Sequence, residues 1–220
     1  MGKDSLYKKS DINRLGEFSK LSGEAFRAFV NFDHKALAEG KLSSKLKELI
    51  AVAVAHVTGC PYCIELHVNQ VKKKETTKEE MAEAIMVATA LKAGSALAHS
   101  VNALNAYDET GDDELYKASN FNRLKEFSSL HGEAFKSFVS FDLQAMKAGK
   151  LSVKEKELIA IAIAHVTGCP YCIEDHVKRA KKAQVTKEEM AEAIMVATAL
   201  KAGSAMAHGI NALNAYDERI

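Results

Sequence analysis

The sequence has 220 residues, a formal net charge of +1, and a composition that is 47% hydrophobic and 27% charged. These values are typical of a soluble globular protein, and the near-neutral charge excludes an electrostatic basis for binding nucleic acid or an acidic membrane surface. Tryptophan is absent and proline occurs only twice, whereas Ala, Leu, Lys and Glu are frequent, which predicts an all-α fold.

The first ten residues contain no apolar segment of the length found in signal peptides. The most apolar window, 49–57, is too short to span a bilayer. We therefore expect a cytoplasmic protein that makes no contact with a membrane. All four cysteines lie in two Cys-x-x-Cys pairs, and in a reducing compartment such pairs are usually redox-active or metal-binding rather than structural.

The first part of the chain is predicted to form two helices. Apolar residues at helical spacing predict a helix over 11–38, with a break near Gly23. Ser43 or Ser44 is expected to cap the next helix, which ends at Gly59. No segment of the chain alternates between apolar and polar residues with period two, so no sheet is expected.

The sequence Cys60-Pro61-Tyr62-Cys63 opens the next predicted helix. Pro61 suits the first helical position, because an N–H there has no partner within the helix. Cys60 would then be the N-cap residue, and the helix dipole taken alone favours Cys60 as the more acidic thiol. His67 lies four residues beyond Cys63, on the same helical face.

A long helix follows the cysteine helix, which is expected to end near Lys74. Thr77 and Glu80 form the pattern of a capping box, and the helical spacing continues over 78–106. Small residues along this helix permit close approach of other helices. His99 lies on this helix and is expected to be packed or interfacial rather than catalytic, as is its later equivalent, His208.

The whole unit occurs twice, at a constant offset of 109 residues. The first copy, 7–109, aligns with the second copy, 116–218, without a gap, and about three quarters of the positions are identical. A repeat of this length predicts a tandem duplication of a helical domain, with domains at 1–109 and 110–220. The acidic junction between the copies contains Gly111, as a linker does.

Glu48 is a carboxylate within an otherwise apolar helix. It is either a surface residue, a salt-bridge partner of Lys45 or Lys47, or a side chain turned inward on the face that it shares with Val52. In the third case, the carboxyl group is placed where it can act as a proton acceptor.

Three structural settings are possible for the cysteine pairs. Cys-Pro-Tyr-Cys also occurs in glutaredoxins, but their thioredoxin-like fold needs strands around the motif and none is predicted here. His56, Cys60, Cys63 and His67 offer the two imidazoles and two thiols that zinc accepts, although structural zinc sites usually gather ligands from two separate segments. Buried cysteines can also be inert.

The combination of Glu48, eleven intervening residues and Cys60-x-x-Cys63-x-x-x-His67 resembles the alkylhydroperoxidase D branch of the carboxymuconolactone decarboxylase-like superfamily. The resemblance covers essentially the whole of each copy. It implies that Cys63 is the attacking thiol and Cys60 the resolving thiol. It also implies that His67 and Glu48 form a proton relay. In the second copy, the equivalent residues are Cys172, Cys169, His176 and Glu157.

One position departs from this branch. In alkylhydroperoxidase D proteins, the residue before the second cysteine can be a histidine that joins the relay. Here Tyr62 and Tyr171 hold that position, and a phenol does not shuttle protons in the same way at neutral pH. The difference bears more on peroxidase strength than on thiol–disulfide exchange. His56 is expected to cap its helix rather than to take over this role.

The resemblance predicts a thiol-dependent peroxidase or thiol–disulfide oxidoreductase with no bound organic cofactor or metal. Its partners would be a small peroxide or disulfide substrate and an external dithiol reductant. Similar proteins form trimers and hexamers, which implies a trimer of fused pairs for this chain. Two alternatives remain: a lyase that acts on a small lactone, since the superfamily's decarboxylases work without the cysteine pair, and a non-catalytic metal-binding helical protein.

Overall fold

The structure is a computed structural model that describes residues 5–110 and 113–218, and every regular element within those residues is helical. The first copy comprises a 3-10 helix (Lys9–Glu17) and the α-helices α1 (Phe18–Leu21), α2 (Gly23–Leu37), α3 (Ser44–Thr58), α4 (Pro61–Lys73) and α5 (Lys78–Tyr107). The second copy comprises a 3-10 helix (Ala118–Glu126) and the α-helices α6 (Phe127–Leu130), α7 (Gly132–Met146), α8 (Val153–Thr167), α9 (Pro170–Lys182) and α10 (Lys187–Tyr216). The predicted all-α duplication is confirmed.

The predicted helix ends around the cysteines are confirmed. The Ser43 side chain caps α3 by accepting a hydrogen bond from a backbone N–H. Gly59 ends α3 in the left-handed conformation, at φ +69°. Cys60 is the N-cap of α4 and Pro61 its first residue. Thr77 caps α5 in a complete capping box. Local sequence rules therefore position the start of the cysteine helix.

The structure differs from the predicted helix over 11–38 in the first part of this segment. That part forms a 3-10 helix followed by the short α1 and a break at Ser22. Tertiary contacts account for the difference. Arg14, buried in this segment, donates to the Asn214 and Asp217 side chains at 2.5 Å each. These partners belong to the second copy, so the conformation depends on contacts that local periodicity does not encode. Gly111, in the predicted linker, lies outside the described residues.

The two copies share one hydrophobic core, in which α3 packs against α8 and both pack against α5 and α10. Residues 49–55 of α3 are at most 1% exposed, because other helices surround this segment. The α10 helix also contacts the first 3-10 helix, α2 and α4, and α5 makes the equivalent contacts in the second copy. The boundary at 109/110 stays a prediction from the repeat.

Two buried lysines join the copies. Lys47 is 3% exposed, and its Nζ lies 2.9 Å from Glu192 Oε2 in the second copy. The Glu192 carboxylate also accepts the backbone N–H groups of Lys41 and Leu42, at 2.8 and 2.9 Å. A Cβ atom at Gly40 would lie 2.5 Å from Glu192 Oε1, so a side chain at this position would displace the carboxylate. The equivalent pair is formed by Lys156 of the second copy and Glu83 of the first copy, with 3.0 Å between Lys156 Nζ and Glu83 Oε2.

By length and composition alone, α5 and α10 are apolar enough to cross a membrane. Both helices also pack against the shared core and line the sites described below. Core helices of globular proteins meet the same test, so it is weak evidence for a membrane span. The cytoplasmic location stays a prediction.

Replacing Glu192 by Gln removes the charge that neutralises Lys47 and keeps the side-chain volume. We expect the free energy of unfolding to fall by about 3 kcal/mol, because a charge is left buried without its partner. Urea unfolding followed by circular dichroism measures the change, with the exposed Glu188→Gln on the same helix as the control. A loss below about 0.5 kcal/mol, as at ordinary surface positions, would contradict this account.

Candidate active site

The cysteine motif begins where α3 ends. Gly59 turns the chain so that Cys60 starts α4 directly beside the buried part of α3. Cys60 and Cys63 are joined by a disulfide bond, and their Cα atoms are 5.3 Å apart, a normal separation for a disulfide. The first turn of α4 therefore holds the two cysteines in the geometry that a reversible dithiol needs.

The two sulfurs differ in their access to a cavity. Cys60 is fully buried, and its Sγ accepts the backbone N–H of Cys63 at 3.1 Å. Cys63 lines a cavity together with His67, whereas Cys60 is not among the residues that line it. A molecule in this cavity therefore meets Cys63 before Cys60.

Glu48 turns inward and contacts His67. The Glu48 Oε2 atom lies 2.8 Å from His67 Nδ1, and the two residues are 8% and 5% exposed. Lys45 and Lys47 pair with other carboxylates, so of the three interpretations of Glu48 the inward-facing one holds. A carboxylate on Nδ1 fixes the orientation of the ring and leaves Nε2 available to exchange a proton.

The second copy repeats this arrangement. Cys169 and Cys172 form a disulfide with the same Cα separation of 5.3 Å. His176 Nδ1 lies 2.8 Å from Glu157 Oε2, and both residues are buried. Cys172 and His176 line a cavity, and Cys169 does not. The structure thus brings together all four predicted residues in each copy.

Each cavity is completed by the other copy. The cavity beside Cys63 has a volume of about 150 Å³, and the cavity beside Cys172 about 100 Å³. Helix α10 contributes Leu200, Gly203, Met206 and Ala207 to the first cavity. Helix α5 contributes Ala90, Leu91, Gly94, Leu97 and Ala98 to the second. Neither cavity is formed by a single repeat.

Sequence reasoning missed Asp33, which lines the first cavity together with Cys63 and His67. Burial raises the pKa of its carboxyl group, and the nearby His67 opposes this shift. Its equivalent, Asp142, lines the second cavity. A signal was available: Asp33 lies four residues after Phe29 and shares its apolar helical face.

The two motif tyrosines are buried beside their cysteines. Burial raises the pKa of both phenols, Tyr62 and Tyr171, so both stay protonated at neutral pH. The Tyr62 ring packs against the Tyr7 ring, and the Tyr171 ring packs against the Tyr116 ring. The ring centroids are 5.6 Å apart in each pair. These contacts fit a packing role rather than a relay role.

His56, His99 and His208 lie outside the Glu–His pairs. His56 Nδ1 lies 2.8 Å from the carbonyl oxygen of Val52, one turn earlier within the same helix, so this contact is not the expected cap of the helix end. The His99 ring contacts Tyr116 of the second copy, and His208 Nδ1 lies 2.8 Å from a carbonyl oxygen in α10. Within the described part of the chain, no three His, Cys, Asp or Glu residues are grouped so that they could hold a metal ion.

Sequence comparison places these features in a known family. The model of the carboxymuconolactone decarboxylase family matches residues 23–106 and again residues 132–215, which together make up more than half of the chain. "Uncharacterized protein 4 in cox locus" of Paracoccus denitrificans is 45% identical over 95 residues, 43% of this chain and 86% of that protein. "Uncharacterized protein H16_B0147" of Cupriavidus necator is 30% identical over 109 residues, 49% of this chain and 96% of that protein.

A solved structure has the same fold. A protein of Burkholderia xenovorans, provisionally described as a gamma-carboxymuconolactone decarboxylase subunit, superposes with a TM-score of 0.70 at 19% sequence identity. The match covers 98% of this chain and 99% of that chain. The fold of both copies together therefore has a counterpart, whereas each of the two sequence relatives matches about one copy.

The raised pKa of Asp33 predicts a pH dependence of stability. Between the ordinary carboxyl pKa of 3.8 and the raised value, the folded protein binds a proton that the unfolded chain has lost, so the stability contributed by this group falls as pH rises through that window. Asp33→Asn removes this loss. We expect the free energy of unfolding of the variant, relative to the wild type, to increase from pH 4 to pH 7.

Denaturant unfolding at a series of pH values measures this difference. Glu24→Gln, at an exposed position on the same helix, is the control and should show no such rise. A relative stability of Asp33→Asn that falls between pH 4 and pH 7 would mean that the folded protein favours the ionised carboxylate.

Proposed function

The chain belongs to the carboxymuconolactone decarboxylase family, and within this family we propose that it is a dithiol oxidoreductase that reduces peroxides or disulfides at Cys60–Cys63 and Cys169–Cys172. One observation carries the proposal. In both copies, a buried histidine that contacts a buried glutamate lines the same cavity as one cysteine of a Cys-x-x-Cys disulfide. This arrangement supplies a nucleophile, a proton acceptor and a resolving thiol.

Cys63 is the proposed attacking residue. Helix-dipole reasoning alone favoured Cys60, but Cys60 is fully buried and does not line the cavity. Access for a substrate and the position of His67, one helical turn beyond Cys63, both favour Cys63. The equivalent argument assigns attack to Cys172 in the second copy.

The proposed cycle begins with the reduced pair. His67 Nε2 takes the proton of the Cys63 thiol, while Glu48 holds the ring and stabilises the imidazolium ion. The thiolate attacks the terminal oxygen of a hydroperoxide. An S–O bond forms, the O–O bond breaks, and the leaving alkoxide receives the proton from the imidazolium ion. The products are an alcohol, or water from hydrogen peroxide, and a sulfenic acid on Cys63.

The second half of the cycle restores the dithiol. The Cys60 thiol attacks the sulfenic sulfur of Cys63, so that a disulfide forms and water leaves. An external dithiol then transfers two electrons and two protons to the disulfide and becomes a disulfide itself. With a disulfide substrate, Cys63 forms a mixed disulfide, and Cys60 displaces the second substrate thiol.

The remaining parts of the proposal concern the setting of the reaction. A cytoplasmic location would supply the external dithiol in reduced form. A trimer of fused pairs would give this chain the assembly expected of its relatives. Met86 and Met195, each 45% exposed at equivalent positions of α5 and α10, offer apolar surface for contacts between chains.

A lyase that acts on a small lactone is the second candidate. The Glu48–His67 pair and the half-buried carboxyl group of Asp33 form an acid–base set that requires no thiol. The family description and the description of the Burkholderia protein favour the same reaction class. The role of Cys63 distinguishes the two candidates.

The proposed roles predict different outcomes for two substitutions. In reduced protein whose second pair is blocked, Cys63→Ser should abolish reaction with peroxide, because the nucleophile is lost. Cys60→Ser should still react once and then stop with a sulfenic acid on Cys63, because no resolving thiol remains. Stopped-flow kinetics and trapping of the sulfenic acid followed by mass spectrometry measure these outcomes.

Circular dichroism spectra equal to that of the parent protein serve as the folding control for both variants. Full peroxide reactivity of Cys63→Ser would overturn the assigned nucleophile. Turnover of a small lactone by Cys63→Ser at the parent rate, without peroxide reactivity in the parent, would favour the lyase instead.

A further inference from the structure

The two sites have the same reacting residues but different entrances. The position directly before the relay histidine is Leu66 in the first site and Asp175 in the second. One helical turn later, the equivalent residues are Gln70 and Arg179. These differences lie at the cavities themselves, since Leu66 lines the first cavity and both Asp175 and Arg179 line the second.

The first cavity is lined largely by apolar side chains, whereas the groove that shares Leu66 with it also carries Lys8, Lys9 and Glu65. Leu66 is 45% exposed, although it is a large apolar residue, and it lines both the cavity and an adjoining surface groove. Phe29 and Met206 have apolar equivalents in the second cavity, Phe138 and Leu97, so Leu66 is the apolar residue by which the first entrance differs; Phe26, Phe29 and Met206 line the first cavity together with it. Their side chains offer an apolar group of a substrate a surface on which to be buried, which stabilises the complex in proportion to the area removed from water.

The entrance of the second site is charged. Arg179 Nη2 lies 2.7 Å from Asp175 Oδ2, and about two fifths of the first side chain and one third of the second remain exposed. The cavity behind them is the smaller of the two, at about 100 Å³. An apolar group placed over this ion pair would remove water from both charges without replacing its hydrogen bonds, which is unfavourable.

We propose that the two sites divide the substrates of the protein: the first site takes hydroperoxides that carry an apolar group, and the second prefers hydrogen peroxide. The division rests on the proposed peroxide-reducing function of both cysteine pairs. Leu66 and Asp175 are the residues that determine the specificity. They set it by contact with the substrate rather than by the chemistry of the thiolate.

The negative charge of Asp175 beside His176 could alter the reactivity of Cys172 toward every oxidant. The test therefore uses a ratio. The rate constant for cumene hydroperoxide is divided by that for hydrogen peroxide at the same cysteine. A change in thiolate fraction or nucleophilicity affects both rate constants alike, so the ratio reports contact with the apolar group.

Two single-site proteins isolate the entrances. In the first-site protein, Cys169 and Cys172 are replaced by Ser. In the second-site protein, Cys60 and Cys63 are replaced by Ser. Each protein is reduced, and stopped-flow kinetics give its second-order rate constants for the two peroxides. We expect the ratio to be at least about tenfold higher in the first-site protein, as is typical of discrimination by an apolar pocket.

Exchange of the entrance residues tests their assignment. Leu66→Asp should lower the ratio of the first-site protein, and Asp175→Leu should raise that of the second-site protein. Both positions are partly exposed or exposed, so folding is expected to persist. Val153→Ser, which also exchanges one copy's residue for the other's but lines neither cavity, should leave the ratio of the second-site protein unchanged.

The outcomes separate the division of substrates from the function on which it rests. Ratios within about twofold of each other, with both dithiols reactive, would overturn the division and leave the peroxidase function in place. Ratios that differ but do not respond to Leu66→Asp and Asp175→Leu would overturn the assignment to these residues. If neither dithiol reacts with either peroxide, the proposed function fails and the division fails with it.

Discussion

The two buried lysines impose the constraint on which the structure depends. Lys47 and Lys156 cannot be buried as unpaired charges without a large loss of stability, and their carboxylate partners, Glu192 and Glu83, lie in the opposite copy. Each glutamate also accepts backbone N–H groups from a loop of the copy that contains its lysine partner. Both copies must therefore be folded and in contact before either lysine is neutralised.

The contact between the two copies also determines how the sites are built. The helices that carry the partner glutamates, α10 and α5, form one wall of each cavity. Arg14 fixes the first 3-10 helix to the end of α10, and Ile12 and Leu15 of that 3-10 helix line the first cavity. One sulfur of each pair faces this enclosed space. The duplication is thus part of the site, because a single repeat would leave Cys63 or Cys172 without this wall of its cavity.

Sequence reasoning predicted the helix ends that local rules determine and missed features that depend on contacts with the other copy. The end of α3 follows from Gly59 and the start of α4 from Pro61, because the conformational preferences of these residues act only on their neighbours. The inward orientation of Glu48 was one of three interpretations that the sequence left open, and its pairing with His67 was expected only from the family resemblance. The 3-10 helix was missed because the partners of Arg14 are about 200 residues away. Asp33 was missed because helical periodicity does not show that the face of α2 that carries it borders the cavity beside Cys63.

The central claim is that both cysteine pairs are reversible dithiols, and a redox titration tests it most directly. The protein is equilibrated in a series of thiol–disulfide buffers, alkylated, and analysed by mass spectrometry. The account predicts two reversible two-electron oxidations, confined to Cys60–Cys63 and to Cys169–Cys172. Four thiols that stay reduced under mild oxidation would contradict it, because buried inert cysteines cannot carry the proposed reaction.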